Sequence, residues 1–386
     1  MVKNIKNPTS NTIYKKANSF VAISGISENI TQFKRIRNLQ AELKDTTSKQ
    51  ANVVAKACKD LLSEDAGKLP KFELKPFVLE EIQRLNDDEL FRYLFYRYRY
   101  DVYPATQQLD KFPPCVQIEP TSICNYRCVF CYQTDPKLTQ GRHGHMGMMK
   151  FDLFKTIIDQ IDGNVEAVTL ASRGEPLMTK DILKMLGYLS GKFLGLKINT
   201  NASFLTEDKA HGILAAEPNT IVFSADAADK ELYAKLRVNG DLDTVLSNIK
   251  MFNDIKSKHY PDSRTITRVS GVRYNEKQNF SEIEAFWQDY VDQTAFVSYN
   301  PWESAYEAPK NDIVDHCSDL WRRTFVWWDG TVNPCDVDYR SMLAVGNIKK
   351  ESLTKLWQGE NYQKLRYSHS NSARCNLTPC SGCALI

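Results

Sequence analysis

Residues 115–131, CVQIEPTSICNYRCVFC, decide the fold and the chemistry of this chain. The stretch begins as a short β-rich run and ends in the CxxxCxxC spacing of Cys124, Cys128 and Cys131. Three thiolates at this spacing on one loop can face a single iron–sulfur cubane. Since no fourth cysteine follows nearby, one iron of such a cluster would stay open to bind a substrate or a cofactor.

A zinc site is the alternative interpretation of this loop. Structural zinc usually has four protein ligands that close its coordination shell. His143 and His145, in the segment GRHGHMGM, could complete a mixed cysteine and histidine site. The position of the three cysteines, directly after a predicted strand, favours the cluster over zinc.

Downstream of the loop, short β-rich runs alternate with helical patterns. This alternation predicts parallel strands that are joined by right-handed crossover helices. Six such units are enough for a partial (β/α)6 barrel, and functional sites in such folds lie at the C-terminal ends of the strands. The predicted strands are residues 115–120, 167–172, 195–200, 220–226, 266–272 and 295–301.

The segment before the barrel, residues 1–110, is predicted to be a helical extension. A capping-box pattern at Asn86 and Glu89 indicates the start of its strongest helix. The Arg- and Tyr-rich run that follows, FRYLFYRYRYDVYP, resembles a nucleic-acid stacking surface. We favour a helix whose rings pack inward while the guanidinium groups reach water.

The segment after the barrel differs from it because it is rich in cysteine. Five of the ten cysteines lie between residues 317 and 383, and Asp329-Gly330 is a hairpin turn signal. We expect a small, mostly β appendage that is held together by metal, with a helix near residues 353–365. The predicted domains are therefore residues 1–110, 111–310 and 311–386.

The composition indicates an ordinary globular protein without a membrane or nucleic-acid partner. The chain has 386 residues, of which 42% are hydrophobic and 25% charged, as in typical soluble domains. The net charge of +3 is too small to indicate binding to nucleic acid or to an anionic membrane. No apolar run approaches the roughly 20 residues of a membrane span, and no secretory signal is evident. We therefore expect the protein to be cytoplasmic. In the cytoplasm, cysteines more often bind metal than form disulfides.

With the aromatic Phe130 before its last cysteine, the CxxxCxxC loop resembles that of the radical S-adenosylmethionine (SAM) superfamily. The resemblance implies that Cys124, Cys128 and Cys131 hold a catalytic [4Fe–4S] cluster. It also implies that the open iron chelates the amino and carboxylate groups of SAM. Electron transfer then cleaves SAM to a 5′-deoxyadenosyl radical, which abstracts a hydrogen atom from the substrate.

Segments at the ends of the next strands extend this resemblance. The segment SRGEP is similar to the GGE segment that contacts the SAM amino group, although Arg173 replaces the first glycine. NTN after the third strand resembles the ribose segment, and SADAADKELYAKLR resembles the S-x-D…Y…R pattern near the SAM carboxylate, which a guanidinium binds well. By this resemblance, the SAM-binding residues are Gly174, Glu175, Asn199, Ser224 and Arg237.

The C-terminal cysteines resemble the SPASM/twitch extension of the same superfamily. The chain follows its pattern, C…DGxVxPC…GNI…LW…LR…CxxC, from residue 317 to residue 383. Asp336 stands where many relatives have another cysteine, so we expect one auxiliary [4Fe–4S] cluster. Cys375 could replace one of its ligands or be free, and a four-cysteine zinc site is the alternative. The ligands that the resemblance implies are Cys317, Cys335, Cys380 and Cys383.

The resemblance implies a radical SAM oxidoreductase or epimerase. We expect it to oxidise or epimerise a small polyol such as a sugar, nucleotide sugar or aminocyclitol. A peptide-modifying maturase and a non-catalytic metal scaffold are the alternatives. The single auxiliary cluster and the lack of an evident leader-binding module favour a small molecule over a peptide. Glu303, after the sixth strand, is the candidate to take a proton from the substrate, and a flavodoxin or ferredoxin is the expected electron donor.

Overall fold

The computed structural model describes residues 20–25, 32–44, 46–63, 71–73 and 75–386. Expectations for residues 1–19, and for the short gaps between these ranges, lie outside the described residues.

The N-terminal region is helical, as the sequence predicts, and it also contributes an edge strand that the sequence did not reveal. That strand, β1, pairs antiparallel with the last barrel strand. The predicted capping box is confirmed, because the Asn86 and Glu89 side chains each accept a hydrogen bond from the other residue's backbone amide. The elements are β1 (Phe20–Ser24), α1 (Phe33–Glu42), α2 (Lys49–Leu62), α3 (Pro76–Gln83) and α4 (Asp87–Thr106).

The Arg- and Tyr-rich helix α4 packs largely inside the protein. Its rings are buried or half-buried, as expected, but the prediction that its guanidinium groups reach water is wrong for Arg97 and Arg99, which are buried. Arg97 forms an ion pair with Asp101 (2.8 Å), and the Arg99 guanidinium lies 4.0 Å from the centroid of the Phe95 ring. These contacts offset the loss of hydration that burial imposes on a charged group.

The six predicted strands form the parallel sheet of a partial barrel. Within the described chain, they pair in the order β9-β8-β6-β5-β4-β2. Their side chains alternate between the outer helices and the lumen, so all of their carboxyl ends open at the same rim. The strands are β2 (Cys115–Ile118), β4 (Ala167–Leu170), β5 (Gly195–Thr200), β6 (Thr220–Ser224), β8 (Ile266–Arg273) and β9 (Gln293–Ser298).

Amphipathic helices cover the outside of the barrel. In one of them, Phe154, Ile157, Ile158 and Ile161 are fully buried at helical spacing, which produces one apolar stripe toward the sheet. Two short strands at the rim, β3 (Arg127–Cys128) and β7 (Arg237–Val238), pair antiparallel. The helices are α5 (Pro136–Thr139), α6 (Phe151–Ile161), α7 (Ile182–Leu189), α8 (Glu207–Ala215), α9 (Lys230–Leu236), α10 (Leu242–His259) and α11 (Phe280–Gln288).

The cysteine-rich C-terminal region continues the barrel sheet. Its first strand pairs in parallel with β2, from Arg323 opposite Cys115 to Val326 opposite Ile118. The hairpin predicted at Asp329-Gly330 is present, with Gly330 at φ +89°, where a side chain would be strained. The elements are α12 (Asp319–Arg322), β10 (Arg323–Val326), β11 (Thr331–Asn333), β12 (Gly346–Asn347), α13 (Leu353–Gln358) and α14 (Glu360–Ser370).

Helix α3 closes the N-terminal end of the barrel through a buried chain of hydrogen bonds. Arg268 Nε donates to Gln293 Oε1 (2.8 Å), and Gln293 Nε2 donates to Glu80 Oε2 (2.6 Å). Polar groups this deeply buried require such partners. The opposite, C-terminal rim is therefore where the barrel opens. None of the helices in the described ranges is both long and apolar enough to cross a membrane.

Candidate active site and auxiliary cluster site

A cavity of about 400 Å³ lies at the C-terminal rim of the barrel strands. Its wall is formed by the loop after β2 and by the ends of the following strands, as expected for this type of barrel. The structure thus brings together all three cysteines of the first cluster and all five residues that the resemblance assigns to SAM. These lining residues are Cys124, Cys128, Cys131, Gly174, Glu175, Asn199, Ser224 and Arg237.

Strand pairing at the rim holds the cysteine loop against Arg237. Cys128 lies directly opposite Arg237 in the β3–β7 pair, and Arg237 Nη1 is 3.7 Å from the Cys128 Sγ. Arg237 also forms a buried ion pair with Asp226 (2.6 Å). Burial alone would lower the pKa of Arg237, but Asp226 and Cys128 outweigh it and raise the pKa. The guanidinium therefore keeps its charge beside the thiol, while its predicted contact with the SAM carboxylate stays a prediction.

Glu175 is held rigidly by three hydrogen bonds from the protein. Its Oε1 accepts from Leu177 N (3.0 Å) and Thr200 Oγ1 (2.6 Å), and its Oε2 accepts from Asn201 N (2.7 Å). Burial raises the pKa of Glu175, and these hydrogen bonds counteract part of that rise. Gly174 precedes it because no side chain fits there, since a Cβ would lie 2.3 Å from the Thr121 carbonyl oxygen.

Arg173, the departure from the family's glycine, forms a buried ion pair that the sequence did not reveal. Its Nε and Nη2 donate to the two carboxylate oxygens of Glu119, both at 2.6 Å. Its Nη1 donates to the Tyr339 carbonyl (2.9 Å), which ties the barrel rim to the C-terminal region. Glu119 could have been noticed in the sequence because it is a charged residue directly after the apolar run CVQI. Nothing in the neighbouring sequence identifies Arg173 as its partner.

Asn199 supplies a polar group that has no partner in the described part of the chain. Its Oδ1 is buried and accepts no hydrogen bond there, although the residue lines the cavity. Buried polar atoms are nearly always satisfied by protein, water or ligand. The orphan oxygen therefore fits a ligand with a hydroxyl or amine donor at this position.

Glu303 does not line the cavity. Its carboxylate accepts a hydrogen bond from the Tyr299 hydroxyl, and burial raises its pKa. The neighbouring Trp302 lines the cavity instead, with its indole N–H donating to the Phe130 carbonyl (2.8 Å). Sequence reasoning also assigned no role in this cavity to Asp336, which is one of its lining residues.

A second, smaller cavity contains four of the five C-terminal cysteines, namely Cys317, Cys335, Cys380 and Cys383. Cys375 lies outside this cavity and near Asn376. Val337 and Leu385 line both cavities, so the two sites share a wall.

Both sets of cysteines fit clusters with several metal atoms. Burial raises the pKa of Cys124 to about 12, and it also raises the pKa of Cys335. Thiolates in such surroundings need a positive partner, which a bound metal cluster supplies. The thiols surround two cavities.

Comparison with protein families decides the identity of these sites. Residues 118–281 match the model of the radical SAM superfamily, and residues 317–384 match that of SPASM, an iron–sulfur cluster-binding domain. The chain belongs to the radical SAM superfamily. Its cofactors are therefore SAM, a [4Fe–4S] cluster and an auxiliary [4Fe–4S] cluster in the SPASM domain. This finding replaces the zinc alternatives at both sites.

Individual curated relatives match about half of this chain. The mycofactocin maturase MftC of Mycolicibacterium smegmatis is 21% identical over 190 residues, which are 48% of this chain and 46% of MftC. An uncharacterized protein of Archaeoglobus fulgidus is 30% identical over 211 residues, which are 54% of this chain and 46% of that protein. The chain thus spans less than half the length of these two relatives.

A solved structure has a fold similar to that of this chain. Streptococcus suis SuiB bound to S-adenosylmethionine superposes with a TM-score of 0.53 at 16% identity, covering 79% of this chain and 80% of SuiB. At this identity the likeness concerns the fold alone.

Proposed function

We propose that this radical SAM enzyme oxidises a small polyol, such as a sugar, nucleotide sugar or aminocyclitol, at a carbon that carries a hydroxyl group. The observation that carries the proposal is the shared wall between the two cysteine cavities. Cys124, Cys128 and Cys131 would hold the cluster of the first cavity. A substrate radical formed there lies next to the second site, where Cys317, Cys335, Cys380 and Cys383 would hold an electron acceptor.

When bound, SAM and its cluster supply a 5′-deoxyadenosyl radical that takes one hydrogen atom from the substrate carbon. Asp336 lines the cavity and would then accept the hydroxyl proton. The residue before it, Cys335, lines the second cavity. Cys317, Cys335, Cys380 and Cys383 would hold the auxiliary cluster, which would supply an acceptor for the remaining electron as the alcohol becomes a carbonyl. A flavodoxin or ferredoxin would supply the initial electron.

The thiols of the cavity favour oxidation over epimerisation. An epimerase must return a hydrogen atom to the opposite face of the substrate carbon, and a thiol is a suitable donor. The cysteines lining the first cavity, in the described part of the chain, are the three assigned to the cluster. This composition supports electron loss as the fate of the substrate radical.

Peptide maturation is the second candidate, because part of the chain matches the mycofactocin maturases. The active-site cavity of about 400 Å³ lies in the lower part of the range for ligand pockets. Since SAM must occupy part of it, the space that remains suits a small molecule or one side chain of a peptide. A peptide substrate would extend out of the rim, whereas a polyol would be enclosed.

Anaerobic turnover with deuterated substrates tests the proposed reaction. We expect reconstituted enzyme, SAM and dithionite to move deuterium from the reacting carbon of one polyol in a panel into 5′-deoxyadenosine. Mass spectrometry should show a product that is two hydrogens lighter than the unlabelled substrate. A product of unchanged mass that contains solvent hydrogen would indicate epimerisation. Turnover confined to a peptide would establish the second candidate instead.

Asp336→Asn is expected to slow product formation by about 10²–10⁴-fold, the usual contribution of a general base. SAM cleavage should persist, since Asp336 is not one of the residues assigned to SAM. Glu303→Gln is the matched control, because Glu303 lies outside the cavity and should retain most of the activity. Iron content of both variants must equal that of the parent. A larger loss in Glu303→Gln than in Asp336→Asn would return the proton-acceptor role to Glu303.

A further inference from the structure

Arg374 is a buried cation in the wall of the auxiliary cluster cavity. It is 1% exposed and lines that cavity with the four cysteines. Its Nη1 donates to the carbonyls of Asp315 and Leu385, each at 3.0 Å. Its Nη2 donates to the carbonyls of Cys383 (2.8 Å) and Cys380 (3.4 Å). All of these partners are neutral, and the buried Nε has no hydrogen-bond partner in the described ranges.

The charge of Arg374 has no anionic partner among the described residues. The nearby carboxylate in the cavity wall, Asp319, forms its ion pairs with Arg322 (3.0 Å) and Arg323 (3.1 Å). A buried cation without a counter-charge is strongly unfavourable. Four thiolates on an iron–sulfur core leave a cluster net negative, so a cluster in this cavity would supply the missing counter-charge.

His369 is the other nitrogen-bearing side chain of the cavity, and it contributes no charge. Its Nδ1 accepts a hydrogen bond from the backbone amide of Cys317 (3.1 Å), which leaves the ring proton on Nε2. The ring is therefore neutral, and Arg374 is the residue that can act on the cluster through its charge.

We propose that Arg374 is a positioning residue that raises the reduction potential of the auxiliary cluster by holding a permanent cation against it. The inference rests on the proposed ligand set of four cysteines. Each electron that enters the cluster makes it more negative, and a fixed cation in a water-poor cavity stabilises that state. The potential of the cluster would thereby suit acceptance of the electron left on the substrate.

Arg366 offers a matched control for this proposal. It is also buried, at 5% exposure, and donates to the carbonyls of Leu320 (2.9 Å) and Trp357 (2.8 Å). One of its nitrogens, Nη2, is likewise buried without a partner within the described chain. It does not line the auxiliary cavity. Substituting Arg366 therefore removes hydrogen bonds to backbone carbonyls, as substituting Arg374 does, but it leaves the charge beside the auxiliary cluster in place.

The test is a redox titration, followed by electron paramagnetic resonance, of full-length protein in which Cys124, Cys128 and Cys131 are alanine. Only the auxiliary cluster remains in this background. We expect Arg374→Gln to shift its potential to more negative values, Arg374→Lys to stay near the parent and Arg366→Gln to leave it unchanged.

An unchanged potential in Arg374→Gln at full iron content would overturn the inference. If Arg374→Gln loses its cluster because the loop of Cys380 and Cys383 loosens, the reduction potential of Arg374→Lys becomes the test. Because Arg374→Lys keeps the cation, a potential near that of the parent supports the proposal. A potential much more negative than that of the parent contradicts it. A triple-alanine parent that binds no iron would instead refute the auxiliary ligand set.

Discussion

Cys128→Ala is expected to reduce SAM cleavage to background. Cys128 is the central thiol of the CxxxCxxC loop, and strand pairing fixes it opposite Arg237. Its loss leaves two thiolates, too few to hold a cubane that keeps one iron open for SAM. The measurement is 5′-deoxyadenosine released by anaerobically reconstituted protein with SAM and dithionite.

Two other cysteines serve as controls for this variant. Cys375→Ala should cleave SAM at the parent's rate, because Cys375 lies outside both cavities. Cys380→Ala should retain some cleavage while losing product formation, because Cys380 belongs to the second cavity. Substantial cleavage by Cys128→Ala would show that this thiol is not a ligand.

Glu119→Gln is expected to lower the free energy of unfolding by about 3–5 kcal/mol, the usual result of breaking a buried ion pair. Glu119 is 0% exposed and pairs through both oxygens with Arg173, which is 3% exposed. The neutral amide leaves the guanidinium charged and buried. Since Arg173 also lines the active-site cavity, SAM affinity should fall as well. Chemical denaturation, read by tryptophan fluorescence, measures the stability.

Asp159→Asn is the matched control for that change. Asp159 pairs with Lys155 at 2.6 Å, the distance seen in the buried pair, but both side chains are 47% exposed. Water and salt screen exposed pairs so well that the denaturation midpoint should not move measurably. Equal losses in Glu119→Gln and Asp159→Asn would mean that burial does not govern the strength of the Glu119–Arg173 pair.

The barrel and its rim could be predicted because their signals are local in sequence. Each strand is a short apolar run that ends in a polar segment, and parallel strands place those segments at one rim. The resemblance to the radical SAM superfamily assigned Gly174, Asn199 and Ser224 to segments at these strand ends, and all three line the same cavity. Which atoms of SAM they contact stays a prediction.

Contacts between distant segments could not be predicted in this way. Glu119 and Arg173 are joined by side-chain geometry that no periodicity encodes. The pairing of β10 with β2 connects segments about 200 residues apart. Nothing in the sequence of a strand identifies the distant strand with which it will pair. Glu303 follows the correct strand, yet it lies in a short helical turn, Trp302–Ser304, where its carboxylate accepts a hydrogen bond from the Tyr299 hydroxyl. Such details depend on three-dimensional packing.

The hydrogen-bond chain from Glu80 through Gln293 to Arg268 has a practical consequence for protein engineering. Glu80 precedes residues 118–281, which match the radical SAM model, so a shortened protein beginning at residue 111 would lack the helix that closes the N-terminal end of the barrel. Water would then reach polar groups that are now sealed from it. Any hybrid that transplants the cofactor-binding half of this enzyme into another scaffold should therefore carry α3 along.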